Sequence, residues 1–106
     1  MDRRERLETD GLCALRAGRH RDAAAKLRQA ARLVTDDSAR LANLGAALAL
    51  AGDLPAARAT LERAIGLAPP CAAAFYNLAL LDRAAGRLAA ARGHLERALA
   101  LDPAYH

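Results

Sequence analysis

The stretch LERALALDP at residues 95–103 nearly repeats LERAIGLAP at residues 61–69, and a more diverged copy, LRQAARLVT, lies at residues 27–35. The copies begin at residues 27, 61 and 95, so successive copies start 34 residues apart. Five columns of identical residues keep this interval: Gly18, Gly52 and Gly86; Ala23, Ala57 and Ala91; Leu27, Leu61 and Leu95; Ala30, Ala64 and Ala98; Leu33, Leu67 and Leu101. Three copies in one register, with no insertion, indicate an array of one repeated structural unit.

The composition favours helices. Alanine accounts for 30 of the 106 residues, leucine and arginine are also abundant, and all three are good helix formers. The strand-forming residues are scarce, because Val34 and Ile65 are the only valine and isoleucine and only three residues are aromatic. We therefore predict an all-α chain in which each unit holds two helices, near residues 4–17, 20–34, 38–51, 54–67, 72–85 and 88–101.

Turn residues mark the ends of these predicted helices. The glycine column follows the first helix of each unit, where glycine can adopt the left-handed conformation that ends a helix. Asp53 and Pro55 suit the start of a second helix, since aspartate caps helices and proline is tolerated in the first turn. Pro69 and Pro103 stop the second helix of the second and third copies. In the first copy Thr35 takes that place, and the segment DDS at residues 36–38 can cap the next helix.

The repeated alanines and leucines predict how the units pack. Two helices joined by a short turn approach closely only where side chains are small, so Ala23, Ala57 and Ala91 are expected at the crossing points. The leucines at 27, 61 and 95 fill the space beside them. Each helix pair cannot bury its apolar face alone, and stacking three pairs supplies a continuous core.

The formal net charge is +4, and 15 of the 16 basic residues are arginine. A basic surface for nucleic acid is one interpretation, and a compositional bias towards alanine and arginine is the other. We favour the second, because acids alternate with the arginines, Arg58/Glu62 and Arg92/Glu96 lie one helical turn apart, and base-stacking aromatic residues are scarce.

Motifs for catalysis or metal binding are not found. The sequence has no HExxH, no phosphate-binding glycine loop and no Ser/His/Asp set, and His94 is expected on a solvated helix face. Cys13 and Cys71 lack CxxC spacing, and Cys13 is expected to be buried. We predict no cofactor, no metal site and no independent enzymatic activity.

The location of the chain is expected to be cytoplasmic. Two cysteines do not make a disulfide framework, which points to a reducing compartment, and the start of the sequence lacks the apolar segment of a signal peptide. Residues 64–81 carry no charge, but Pro69 and Pro70 interrupt them, so we expect no membrane insertion.

The columns resemble the tetratricopeptide repeat family, whose repeat is a helix–turn–helix of about 34 residues. Its pattern is matched in the second copy by Leu41, Leu44, Gly45, Ala57, Leu61, Ala64 and Pro69, and in the third by Phe75, Leu78, Ala79, Ala91, Leu95, Ala98 and Pro103. The first copy matches more weakly, with Leu7, Gly11, Ala23, Leu27 and Ala30, because Asp10 and Thr35 replace the leucine and the proline. The family's second aromatic column holds Ala14, Leu48 and Asp82, so Asp82 falls in a column that is usually buried.

The resemblance implies an α-solenoid of three helix-turn-helix repeats, with six antiparallel helices in a right-handed superhelical stack. One domain would cover residues 1–106, with repeats at about 4–37, 38–71 and 72–105. It also implies a protein–protein interaction scaffold whose first helices line a concave groove for a partner peptide or an amphipathic helix. By register, the peptide-binding residues are Leu12, Leu15, Arg16, Ala42, Asn43, Ala46, Leu50, Tyr76, Asn77, Leu80 and Arg83.

Two features of this expected groove bear on its ligand. Asn43 and Asn77 could hydrogen-bond an extended peptide, or could instead bond their own helices or water, and Tyr76 is the best apolar anchor. Chaperone-binding members of the family grip a C-terminal carboxylate with Lys, Asn, Asn, Lys and Arg. The positions here hold Glu8, Leu12, Asn43, Ala73 and Asn77, so we predict no binding of such tails.

The last predicted helix offers a second surface. Leu88, Leu95, Leu99 and Leu101 form an apolar stripe suited to self-association into a homo-oligomer, or to a neighbouring segment of a larger protein. Alternatively, Arg87, Arg92 and Arg97 shield this stripe from solvent.

Overall fold

The computed structural model describes residues 2–33 and 37–104, which form six helices and no strand. The helices are α1 (Arg3–Arg16), α2 (His20–Leu33), α3 (Ser38–Leu50), α4 (Leu54–Ile65), α5 (Ala72–Ala84) and α6 (Leu88–Leu101). The predicted all-α class and the six predicted helices are confirmed, with ends shifted by at most two residues. The predicted end of the second helix at residue 34 lies outside the described residues.

Local signals set the helix ends. Gly18, Gly52 and Gly86 have φ angles of +79°, +92° and +78°, a conformation that side chains with a Cβ rarely adopt. The Asp53 carboxylate accepts a hydrogen bond from the backbone N–H of Ala56 at 3.3 Å, and Asp37 caps α3 in the same way. The glycine column and the aspartate caps therefore act as predicted.

The helices pack as three antiparallel pairs, α1 with α2, α3 with α4, and α5 with α6. Successive pairs stack through α2 against α3 and α4 against α5, while α3 also packs on α5. This is a helical solenoid with principal extents of 40 × 27 × 23 Å. Its central helix, α3, has neighbours on three sides.

Small residues allow the two helices of a pair to approach. Ala23, Ala57 and Ala91 are all buried, as predicted. A Cβ atom added to Gly45 would lie 2.5 Å from Cγ of Leu61, which is fully buried. The glycine of α3 therefore makes room for the leucine of α4.

Cys13 was expected in the core, but its side chain is exposed. The buried residues of α1 are Gly11 and Ala14, and a residue one position away on a helix points about 100° to the side. Cys13 therefore faces solvent. Within the described residues, no helix is long and apolar enough to cross a membrane.

Candidate protein-binding groove

The candidate groove lies where α3 packs beside α5. A cavity of about 200 Å³ opens there, and its lining is almost entirely apolar: Ala46, Ala49, Leu50, Leu61, Asn77, Leu80 and Leu81. Four residues predicted for the groove meet in this cavity, namely Ala46, Leu50, Asn77 and Leu80. Leu50 and Leu80 are 57% and 37% exposed, so their side chains are accessible to a ligand.

The other predicted groove residues lie outside that cavity. Leu12 and Leu15 on α1 are half-buried, as are Asn43 and Tyr76, while Arg16 and Arg83 are exposed at the ends of α1 and α5. The structure thus concentrates the apolar part of the candidate site on the second and third helix pairs.

Ala42 is a correction to the predicted groove. Its side chain is only 1% exposed and belongs to the hydrophobic core. The reason is the central position of α3, which packs against α2, α4 and α5 and therefore buries a wider face than the repeat register alone implies. Ala42 cannot contact a bound partner through its side chain.

Glu8 lies across from α3 and forms an ion pair with Arg40, with Oε1 2.9 Å from Nε. Arg4 approaches the same carboxylate oxygen at 3.6 Å. The corresponding clamp position of carboxylate-binding repeats holds a lysine, whereas here a carboxylate already holds two cations. We still expect C-terminal carboxylate tails not to bind, because the negative charge of Glu8 would repel them.

A buried charged cluster joins the last two helix pairs. Asp82 on α5 is 1% exposed, and its Oδ1 lies 2.9 Å from Nη1 of Arg58 on α4. Its Oδ2 lies 2.7 Å from Nδ1 of His94 on α6. Because a carboxylate only accepts hydrogen bonds, Nδ1 of His94 carries the shared proton. One carboxylate therefore ties three helices together.

The cluster determines the protonation of Asp82. Burial disfavours the charged carboxylate, but the hydrogen bonds from His94 and Arg58, together with their charges, outweigh it and lower the pKa of Asp82 below its usual 3.8. The aromatic ring of Phe75 closes one side, with its centroid 6.1 Å from that of His94 and 4.9 Å from Cζ of Arg97. Asp82 is therefore an ionised structural residue.

Two predictions about these charges were wrong. Arg58 pairs with Asp82 rather than with Glu62, and His94 contacts a buried carboxylate instead of facing only solvent. The Arg92–Glu96 pair forms as predicted, at 3.3 Å. The signal for the cluster was the aspartate in a buried column, since a buried charge requires partners, but its partners come from other helices.

Ser38 is a further buried polar residue, and the sequence pattern did not predict that it links helix pairs. Its hydroxyl donates a hydrogen bond to the carbonyl of Ala64 at 2.9 Å and accepts one from the N–H of Cys71 at 3.1 Å. It therefore connects the start of α3 with the end of α4 and the residue that precedes α5.

The four leucines predicted as a stripe on the last helix are exposed. Leu88, Leu95 and Leu99 share one face of α6, whereas Leu101 lies on another side, since successive residues are about 100° apart. Leu88, Leu95, Leu99 and Leu101 are 67%, 38%, 44% and 44% accessible to solvent. The described part of the chain holds no group of three or more His, Cys, Asp or Glu residues that could bind a metal ion.

Comparisons with known proteins agree with this architecture. The family model described as "Tetratricopeptide repeat" matches residues 11–70 and again residues 51–106. A structure titled "Crystal structure of MamA" superposes with a TM-score of 0.85 and 28% sequence identity, covering 94% of this chain. The chain spans 58% of the length of that relative. A search of curated proteins finds no match.

The family match extends over nearly the whole chain, and the stacked helix pairs are the structure that its repeat pattern implies. The matched ranges include the buried alanines, the glycine at the close approach of α3 and α4 and the leucine packed against it. The chain belongs to the tetratricopeptide repeat family.

Proposed function

We propose that this protein is an interaction scaffold that binds a segment of a protein partner in the groove between α3 and α5. Tetratricopeptide repeats are generally non-catalytic protein-interaction modules, which supports the scaffold role. The observation that carries the finer proposal is the open apolar cavity lined by Leu50, Leu80 and Asn77. An accessible apolar pocket with one polar side chain suits a partner that inserts an apolar anchor.

The chemistry of the groove favours a peptide or an amphipathic helix. Leu50 and Leu80 offer apolar contact. Tyr76 lies one helical turn before Leu80 on α5 and adds a rigid aromatic side chain. Asn43 and Asn77 occupy the same position of successive repeats, so each can offer an amide to a bound backbone at one repeat's spacing. Alternatively, the amides of Asn43 and Asn77 hydrogen-bond to their own helices or to water.

A pair of groove variants tests this proposal. Leu80→Glu places a charge in the apolar cavity, and Tyr76→Ala removes the aromatic anchor, so each should weaken binding about tenfold or more. The ligand is a peptide selected from a displayed random library on the wild-type chain, with affinity measured by isothermal titration calorimetry and helicity by circular dichroism.

The matched control for the groove is Leu101→Glu, because Leu101 is 44% exposed and lies on α6, away from the cavity. This variant should keep the wild-type affinity. Unchanged binding by both Leu80→Glu and Tyr76→Ala would show that the selected peptide does not occupy the groove.

We also propose a self-association role for the exposed leucines of α6, as the alternative to groove binding. Large apolar side chains at 38–67% exposure along one helix are the observation that favours it. The same stripe would serve a neighbouring segment if the chain forms part of a larger protein. A nucleic-acid partner is disfavoured, since no aromatic side chain lines the groove cavity.

We assign no catalytic role to the chain, in keeping with the general character of its family. We place it in the cytoplasm because Cys13 and Cys71 are free thiols, as is usual in a reducing compartment.

A further inference from the structure

The three turns within the helix pairs, at residues 17–19, 51–53 and 85–87, lie along one edge of the solenoid, here called the turn edge. Two cavities join neighbouring turns. The first notch, of about 380 Å³, is lined by Gly18, Arg19, His20, Arg21, Asp22, Leu50 and Ala51. The second notch, of about 350 Å³, is lined by Leu54, Pro55, Arg58, Leu81, Ala84 and Ala85. The second notch lies one repeat further along the chain than the first, so the fold makes both in the same way.

The two notches differ in chemistry although they are equivalent in the repeat. His20 and Arg21 of the first notch occupy the repeat positions that Leu54 and Pro55 hold in the second. The first notch is therefore cationic at its rim, while the second is apolar. Since the backbone is the same in both, this difference is not required by the packing of the solenoid.

Exposed leucines cluster at the turn edge. Leu88, Leu50 and Leu54 are 67%, 57% and 50% exposed, which makes them the three most exposed large apolar residues in the described chain. Single exposed leucines are ordinary on protein surfaces, but a group on one edge marks an interaction site.

Positive charge also concentrates there. The segments 15–22, 49–56 and 83–90 contain two aspartates and five arginines, the latter being Arg16, Arg19, Arg21, Arg83 and Arg87. They carry +3 of the chain's net +4. No carboxylate among the described residues lies within 4.0 Å of these five guanidinium groups, whereas Arg40, Arg58 and Arg92 are paired. Asp53 is already engaged as the cap of α4.

We propose that the turn edge is a second docking surface, which takes an acidic peptide segment bearing a leucine-sized side chain. The carboxylates contact Arg19 and Arg21 at the first notch, and the apolar side chain enters the second notch beside Leu54. Unpaired arginines are complementary to carboxylates and bind them with charge-assisted hydrogen bonds. The apolar notch, one repeat away, then requires that the same segment also carry an apolar group.

A nucleic acid fits this edge less well. Asp22 lies in the cationic notch, and Arg58, the arginine of the second notch, is already paired with Asp82. Neither lining contains a Phe, Tyr or Trp ring for base stacking. The two notches share only Leu50 and Leu81 with the groove cavity, so variants at Arg19, Arg21 and Leu54 test the turn edge separately.

The test uses a synthetic peptide with glutamates at one end, a glycine–serine spacer and leucines at the other. The full chain, labelled with ¹⁵N, is titrated with this peptide and followed by NMR. We expect shifts of the amides of residues 17–22 and 51–56. Replacing the glutamates by lysines, or the leucines by alanines, should weaken binding at least about threefold in each case.

Paired variants assign the contacts. The double variant Arg19→Ala/Arg21→Ala should weaken the peptide at least about threefold. Arg28→Ala/Arg32→Ala removes the same charge from exposed positions further along α2 and should leave affinity unchanged. Leu54→Ala should weaken binding, whereas Leu99→Ala, at 44% exposure on α6, should not.

Three results would overturn the proposal. One is a lysine peptide that binds as well as the glutamate peptide. Another is equal loss in the two double-arginine variants, together with displacement of the peptide by a DNA oligonucleotide, which would indicate a general polyanion surface. The third is that the peptide no longer shifts these amides in the Leu80→Glu variant, which would place the peptide in the groove. If the shifts are retained in Leu80→Glu, the peptide binds the turn edge independently of the groove.

Discussion

Asp82 shows how a single residue can depart from the repeat pattern without disrupting the fold. Its column holds Ala14 and Leu48 in the earlier copies, and both of these are buried. A lone carboxylate at this position would be strongly destabilising, but Arg58 and His94 each satisfy one of its oxygens. The sequence identified the anomaly, while its partners could not be read from local spacing because they lie on two other helices.

The lowered pKa of Asp82 predicts a pH dependence of stability. The group stabilises the fold fully above its unfolded-state pKa and loses that contribution as the pH falls through its lower folded-state pKa. The free energy of unfolding of the wild type should therefore fall more steeply than that of Asp82→Asn between about pH 5 and about pH 3. Urea unfolding at several pH values measures both.

The control for this pH dependence is Glu96→Gln, which removes an exposed carboxylate from the Arg92 pair on α6. Its stability should follow the wild-type pH profile closely, because exposed pairs contribute little. Parallel profiles for wild type and Asp82→Asn would contradict the assigned role of the buried cluster.

At the scale of the helix, local sequence accounts for most of what forms. The glycine turns, the caps from Asp37 and Asp53, and the alanine-rich composition predicted all six helices nearly at their observed ends. The number of buried residues differs between helices. α3 buries seven residues, whereas Ala91 and Ala98 are the buried residues of α6. That difference follows from how many neighbours each helix has.

The close approach of α3 to α4 predicts a cost for adding one methyl group. Gly45→Ala would place a Cβ atom 2.5 Å from Cγ and 2.6 Å from Cδ2 of Leu61, which is fully buried and cannot swing into solvent. We expect Gly45→Ala to lower the free energy of unfolding by about 1–3 kcal/mol. Chemical denaturation followed by circular dichroism measures the change.

Gly93→Ala is the matched control for this methyl addition, because a Cβ atom there meets nothing within 4 Å. In an exposed helical position, alanine should raise the free energy of unfolding by about 0.5–1 kcal/mol over glycine. A Gly45→Ala protein as stable as the wild type would mean that the two helices can separate without cost.

At the scale of the whole molecule, the two ends of the stack are unlike. On α1, Asp10 is exposed in a column where α3 and α5 bury Leu44 and Leu78, which gives that end a polar surface. On α6 the leucine stripe remains accessible. The division into repeats at about 4–37, 38–71 and 72–105, and the site residues of the groove, stay predictions.

The exposed stripe predicts concentration-dependent association. Burial of Leu88 and Leu99 between copies would release apolar surface from water, so sedimentation velocity should show a mass that rises with protein concentration. The double variant Leu88→Glu/Leu99→Glu should stay monomeric over the same range, because charges oppose burial of that face.

Leu54→Glu is the control for association, since Leu54 is comparably exposed at 50% and lies on α4, outside the leucines of α6. It should associate like the wild type. A wild-type chain that sediments as a strict monomer at every concentration would remove self-association from its functions.

Sequence alone determined the repeat, the helices and their turns, because caps, glycine turns and helical periodicity act between residues a few positions apart. It also predicted the family, and with it the surface on which a groove should lie. Only the tertiary structure decided that Ala42 is buried, that Arg58 pairs with Asp82 and not with Glu62, and that two unlike notches share one edge. These features depend on which side chains meet between stacked helix pairs. Such contacts join residues far apart in the sequence, so local spacing does not predict them.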